Sequence, residues 1–295
     1  MIVAGCPLCK TDARLLFRIR DMNHRISREK FNYYRCQSCD LIFLLPIPAN
    51  LGEYYPKQYY SMPASLEQLE AGAEGDRYKL EIVRRFAASG RLLEIGPAYG
   101  GFALLAKKAG YSVETIEMDP QCCDFLEKVA GIKAIHSSEP AAALKGGAQY
   151  NVITLWHVLE HLPDPWGSLE MIAKSLVPGG ILILAAPNPR SFQFKVLGRF
   201  WPHVDAPRHV ELIPLPLIER QLTAHGLDTV WTTTTDKGTL GWNVFGWEVF
   251  FANWSNHRFL KRRLRKIGRL ISRIFGPLDR MRNYGSAYTA VFRKR

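Results

Sequence analysis

The run Leu92-Leu93-Glu94-Ile95-Gly96-Pro97-Ala98-Tyr99-Gly100-Gly101 restricts the fold of this 295-residue chain more than any other segment. Its first four residues, three of them aliphatic, read as a short buried strand. The glycines and proline that follow form a tight turn. Phe102 to Ala109 then reads as a helix closed by Gly110, and Ser112 to Ile116 as a second strand ending at Glu117. Strand, glycine loop, helix and strand in this order make half of a doubly wound α/β fold. Such folds bind ligands at the carboxyl ends of their strands.

The acids in this unit bear on the ligand. Gly96, Ala98 and Gly101 loosely fit a dinucleotide fingerprint, and Glu117 follows Gly96 at the spacing of a ribose-binding acid. Glu94 argues against a dinucleotide, because a carboxylate beside the loop repels a diphosphate and favours a ligand carrying ammonium and sulfonium charge. Glu117 suits the two ribose hydroxyls as a bidentate acceptor. A salt-bridged structural acid is the alternative at each position, and their joint placement favours the ligand.

Cys6-Pro7-Leu8-Cys9 and Cys36-Gln37-Ser38-Cys39 lie 26 residues apart. Two CxxC knuckles present four thiolates, the tetrahedral set of structural zinc, and a closed site leaves no open position for catalysis. Between and after them, Leu15-Leu16-Phe17, Phe31 to Arg35 and Leu41 to Leu45 read as short strands, the last stopped by Pro46 and Pro48. No basic start with a long apolar run opens the chain, so a signal peptide is not expected and a reducing, cytoplasmic setting is.

These residues carry a family resemblance. Leu92 to Gly100 resembles the first motif of class I S-adenosylmethionine-dependent methyltransferases. Val152-Ile153-Thr154-Leu155-Trp156-His157-Val158-Leu159-Glu160-His161-Leu162 is similar to their fourth strand and its turn, and Leu176-Val177-Pro178-Gly179-Gly180-Ile181-Leu182-Ile183 to the turn into their fifth. The similarity covers 91–235 and resumes at 284–295, and the knuckles narrow it to the subset with a zinc-binding N-terminus. It implies an α/β, Rossmann-like sheet with an antiparallel final strand at Ala287 to Phe292. It also implies S-adenosylmethionine held by Glu94, Gly96, Ala98, Gly100, Glu117, Met118 and Leu155, with zinc on Cys6, Cys9, Cys36 and Cys39. Ala98 departs from the glycine usual at its position.

Methyl transfer is an in-line displacement that needs an aligned nucleophile and, for a hydroxyl or carbon acid, a base. In the resembled architecture the loop after the fifth strand adjoins the cofactor methyl. Here it reads Trp201-Pro202-His203-Val204-Asp205-Ala206-Pro207-Arg208-His209-Val210. His209 is the expected base and His203 the second choice, because imidazole titrates near neutrality. The alternative for His209 is a hydrogen bond that holds the loop. The stretch resembles one in zinc-binding sugar C-methyltransferases where a Glu-His pair supplies the base. Arg208 stands in place of that Glu; it cannot relay a proton, but it could hold a phosphate or carboxylate of the acceptor. Tyr59 and Tyr60 are expected at the acceptor entrance, with a linker packed on the core as an equal alternative.

His157-Val158-Leu159-Glu160-His161 has a zinc-peptidase spacing. It directly follows a strand, however, and Pro163 and Pro165 leave room for about one helical turn. His157 is therefore expected to line the pocket and His161 to pack the turn. His203, Asp205 and His209 lie in a proline-stiffened loop where a metal is the less favoured reading.

The net charge of +12 is unevenly placed. Residues 256–295 hold thirteen Lys and Arg against Asp279 alone, so that segment carries the whole excess. Within it, Leu260, Leu264, Ile267, Ile271 and Ile274 recur at helical spacing among basic residues, a strongly basic amphipathic helix over 258–275 ended by Gly276-Pro277. Trp242, Phe245, Trp247, Phe250, Phe251 and Trp254 precede it, in a stretch too short and polar to span a bilayer. Together they predict docking at the anionic cytoplasmic face of a membrane. A stripe packed on the catalytic domain is one alternative, and nucleic acid a less favoured partner. The expected organisation is a zinc ribbon at 1–48, a helical lead-in at 49–90, a cofactor domain at 91–237, an insertion at 238–283 and a closing strand at 284–295. The expected acceptor is a small molecule, with lipid-linked and nucleotide-linked sugars as candidates. A nucleic-acid methyltransferase and a non-catalytic scaffold are the rivals.

Overall fold

The computed structural model describes residues 3–56 and 61–295. In chain order the regular elements begin with β1 (Val3–Gly5), β2 (Asp12–Ile19), β3 (Phe31–Cys36), β4 (Ile42–Leu44), α1 (Leu66–Ala73) and α2 (Arg77–Phe86). The α/β alternation follows: β5 (Arg91–Ile95), α3 (Gly101–Lys108), β6 (Ser112–Glu117), α4 (Pro120–Lys128), β7 (Lys133–His136), α5 (Pro140–Ala143), β8 (Tyr150–Trp156), α6 (Pro165–Lys174) and β9 (Leu176–Pro187). The chain ends with α7 (Phe192–Leu197), β10 (Glu211–Leu212), α8 (Leu215–Ala224), β11 (Leu227–Thr233), α9 (Lys237–Ala252), α10 (Arg258–Asp279) and β12 (Ala287–Lys294).

The main sheet has seven strands in the order β11-β12-β9-β8-β5-β6-β7. Neighbours from β9 to β7 are parallel, whereas β12 is antiparallel to both β9 and β11. Successive strand residues enter opposite cores, because side chains alternate across a sheet. Leu93, Ile153, Leu182 and Phe292 pack on one face, and Leu92, Val152, Ile181 and Val291 on the other. Burial on both faces explains why these strands read as continuous apolar runs.

The second sheet has the order β1-β2-β3-β4-β10. Its first four strands are the expected ribbon. The fifth comes from far along the chain, with Glu211 opposite Phe43 and Leu212 opposite Ile42. The boundary at residue 48 therefore does not isolate the ribbon. Two residues are too few to leave a periodicity that a sequence could announce.

The final insertion is a helical hairpin, α9 against α10. Its second helix runs one turn beyond the expected stop at Gly276-Pro277. Proline removes one intrahelical hydrogen bond, but the end is anchored: buried Asp279 accepts from Trp247 Nε1 at 2.9 Å and Gln193 Nε2 at 3.1 Å. The apolar stripe also divides. Leu264 and Ile271 turn inward, Ile271 against the core cluster around Trp201, while Leu260, Ile267, Leu270 and Ile274 are exposed. Among the described residues no helix is long and apolar enough to cross a membrane.

Candidate active site

A cavity of about 1260 Å³ opens at the carboxyl ends of β5, β6 and β8. One end is the glycine loop. Gly96 at φ +69 and Ala98 at φ +52 both occupy the left-handed region, and a side chain on Gly96 would meet Val158 at 2.5 Å. Alanine at such an angle carries a strain that glycine would avoid. Glu94 is 3 % exposed, lines the cavity, and has no hydrogen-bond partner for Oε2. Burial pushes its carboxyl up to about 8 despite Lys79 nearby. Glu117 also lines the cavity. Its Oε1 accepts from the amides of Met118 and Asp119, and its Oε2 from Ala98. Three of about four lone-pair sites are thus engaged, so a ribose meets one open position, not the bidentate grip expected.

Met118 lines the cavity and is half-exposed. Two expected cofactor residues are corrected. Leu155 is fully buried in the core on one face of the sheet and is not a cavity wall; Trp156 and His157 take that place. Gly100, at φ +86, turns the chain into α3 and is likewise absent from the wall, its neighbours Tyr99 and Gly101 lining it instead. Tyr59 and Tyr60 lie outside the described residues. Tyr55, just before them, does line the cavity.

The other end of the cavity gathers imidazoles. His157, His161, His203 and His209 all line it. His203 Nε2 donates to the Trp242 carbonyl at 3.3 Å, and burial pushes its pKa down to about 3. The His209 Nδ1 lies 2.8 Å from the His203 carbonyl, and the His161 Nδ1 lies 3.0 Å from both the Arg208 carbonyl and the Tyr55 hydroxyl. A carbonyl only accepts, so both rings carry their proton on Nδ1 and keep a lone pair on Nε2. His209 therefore makes the loop-holding bond and still offers a basic nitrogen; the two roles considered for it coexist. His161 is pushed down to about 4, chiefly by burial. Glu160 is 1 % exposed, and neither carboxylate oxygen has a hydrogen bond. Burial opposes its ionisation, but the imidazole of His157, with Nδ1 at 3.4 Å, outweighs it and holds the group at about 2. Glu160, His161 and His209 each place a ligand atom within 4.8 Å of the others. The H-x-x-E-H spacing points to Glu160 and His161, but the following prolines argue against a metal and His161 is expected to pack the turn; both instead line the cavity. Sequence reasoning missed Lys79 of α2, another cavity residue.

Arg208 is a further correction. It is fully buried, and all five of its N–H groups are engaged: by Asp21 twice, by Asp205 twice, and by the Tyr54 carbonyl. No donor is left for an acceptor anion. The guanidinium instead ties the 201–210 loop to the ribbon.

The four knuckle thiols also converge. Cys6 and Cys39 lie 3.6 Å apart, Cys9 and Cys36 3.5 Å, and all four within 4.8 Å. Thiolates on a tetrahedral zinc with ~2.3 Å bonds sit about 3.8 Å from one another, so the donor set fits that ion. Cys122 and Cys123 are buried free thiols.

The sequence pattern of a family described as a methyltransferase domain matches residues 70–232. The ubiquinone biosynthesis O-methyltransferase of Xanthomonas campestris pv. campestris (strain B100) is 31 % identical over 130 residues, 40 % of this chain and 52 % of that one. The protein of the same name from Bordetella avium (strain 197N) is 27 % identical, over 41 % and 54 %. The chain thus spans about half the length of the curated relatives it matches. Among solved structures, a SAM dependent methyltransferase from Archaeoglobus fulgidus is similar in fold, with a TM-score of 0.52, 17 % identity and coverage of 76 % of this chain and 94 % of that one. An S-adenosylmethionine dependent methyltransferase from Mesorhizobium loti gives 0.50, 11 %, 77 % and 100 %.

Proposed function

We propose, since the chain belongs to the methyltransferase domain family, that it transfers a methyl group from S-adenosylmethionine to an oxygen of a small-molecule acceptor. Its fold is that of the class I enzymes. The observation that carries the reading is the buried Glu94 carboxylate, its Oε2 without a hydrogen-bond partner, beside the Gly96–Ala98 turn. An empty carboxyl in a cavity is costly to ionise and becomes favourable once a cationic ligand meets it. In this reading Glu94 faces the ligand's ammonium, Gly96 and Ala98 let the backbone approach, and Glu117 accepts one ribose hydroxyl. When bound, S-adenosylmethionine supplies a methyl on a sulfonium that leaves as a neutral thioether.

Acceptor activation falls to the imidazole end of the cavity, with His209 at its centre. Its Nε2 lone pair acts on the acceptor oxygen while its Nδ1 holds the loop. Oxygen is favoured as the nucleophile by the names of the curated relatives. A lipid-linked or nucleotide-linked sugar fits a cavity large enough for a cofactor and a second ligand. Zinc on the four cysteines is structural in this reading, and the exposed sector of α10 is taken to meet an anionic membrane surface. Calorimetric titration tests the core of the proposal: micromolar binding of S-adenosylmethionine and none of NAD is expected. Binding of NAD alone would overturn it.

A further inference from the structure

Glu160 is the least reconciled side chain in the molecule. It is buried beside the cavity, and its ion-pair contact is the imidazole of His157 at 3.4 Å. Among the described residues no Lys or Arg forms an ion pair with it. The guanidinium of Arg208, next to the ligand candidate His209, already faces two buried carboxylates, Asp21 and Asp205. Buried charges of this kind are paired or coordinate metals.

Two further features point to a cation. His161 and His209 each direct Nδ1–H at a backbone carbonyl, the arrangement that fixes the tautomer of metal-ligating histidines and leaves Nε2 as a donor. Their rings meet edge to face with centroids 4.5 Å apart, and one ring nitrogen of each lies within 4.8 Å of the other and of a Glu160 carboxylate oxygen. The three residues come from two separate segments, joined where the Val210 amide donates to the Glu160 carbonyl at 2.8 Å.

We propose that Glu160, His161 and His209 hold a divalent cation in the acceptor half of the cavity. Two imidazoles and one carboxylate suit an ion of the zinc, cobalt or iron(II) kind. Three protein ligands leave positions open toward the cavity, as catalytic metal sites require. A cation there supplies Lewis acidity that lowers the pKa of an acceptor hydroxyl, so the acceptor class narrows to molecules that present an ionisable oxygen. With the ion bound, the His209 Nε2 lone pair serves as a ligand in place of the base role, and the hydroxyl proton departs to water in the cavity. This chemistry rests on the methyl-transfer reading, whereas the binding does not.

Cobalt(II) tests the site directly. The full-length protein, freed of metal by a chelator under native conditions, is titrated with Co²⁺ and followed by absorbance. Two equivalents are expected. One carries the intense thiolate-to-cobalt bands of the cysteine site; the other shows only weak ligand-field bands. Glu160→Gln and His209→Ala should each lose the second class, by at least tenfold in affinity, and keep the first, which reports that the variants are folded. Cys36→Ser should lose the first class. A single, thiolate-type equivalent, or a second class that survives both pocket variants, overturns the proposal. Parallel calorimetry with S-adenosylmethionine separates the two readings, because loss of the cation site leaves cofactor binding in place.

Discussion

A carboxyl held up to about 8 by burial ties cofactor binding to pH. With the site empty, Glu94 is largely protonated at neutrality. A ligand ammonium favours the ionised form and lowers the pKa, so binding releases a proton. Affinity for S-adenosylmethionine should therefore rise as pH increases from 5.5 to 7, approaching tenfold per unit, a range in which an α-amino group stays protonated. Calorimetry in buffers of differing ionisation enthalpy would measure nearly one proton released at pH 7. Glu94→Gln should abolish the release and weaken binding on the order of ten- to a hundredfold. A release that persists in the variant would assign it to another group. Glu94 was legible because strand, loop and acid are contiguous. Arg208 was not: its carboxylate partner Asp21 lies 187 residues away, and a sequence cannot show that a charge is already satisfied.

Among the elements, α10 shows what periodicity does and does not fix. The spacing of Leu260, Leu264, Ile267, Ile271 and Ile274 locates the helix, but a wide apolar arc can serve two neighbours. Gly268 allows the close approach on one side; a side chain there would meet the Trp247 carbonyl at 2.5 Å. The other side stays open, with Phe259 61 % and Ile274 59 % exposed and Arg263, Lys266 and Arg273 beside them on the same helix. A second copy of this chain is a poor occupant for so basic a face, and nucleic acid gains little from its aliphatic row. Replacing Leu260, Ile267 and Ile274 with Ser should weaken binding to phosphatidylglycerol vesicles by roughly 2–4 kcal/mol, given ~25 cal/mol per Å² of apolar area. Replacing Leu264 and Ile271 should instead lower the melting temperature and leave vesicle binding of the folded protein intact. Flotation assays distinguish these outcomes, and salt-sensitive binding to RNA without vesicle binding would refute the membrane reading.

At the scale of the whole molecule, the ribbon works as a brace for the acceptor loop. Tyr33 of β3 donates its hydroxyl to the His209 carbonyl at 2.7 Å, Asp21 clamps Arg208, and β4 pairs with β10 directly after the loop. The cofactor loop, by contrast, rests on β5, β6 and α3, which lie in the other sheet. The two ends of the cavity are therefore supported separately, and the four-cysteine cluster belongs to the support of only one of them. Strands β5, β6, β8 and β9 could be read from the strand and turn motifs. This division could not, since it rests on contacts between segments well over a hundred residues apart. Removing the ribbon's metal alone, by Cys36→Ser with Cys39→Ser, should loosen the ribbon before it disturbs the cofactor half. Hydrogen exchange should then show amides of 201–212 losing protection on the order of tenfold or more, while those of 92–117 keep theirs. S-adenosylmethionine affinity should change little. Equal loss in both segments would mean that the ribbon stabilises the domain as a whole, and no loss in 201–212 would mean that the brace holds without its metal.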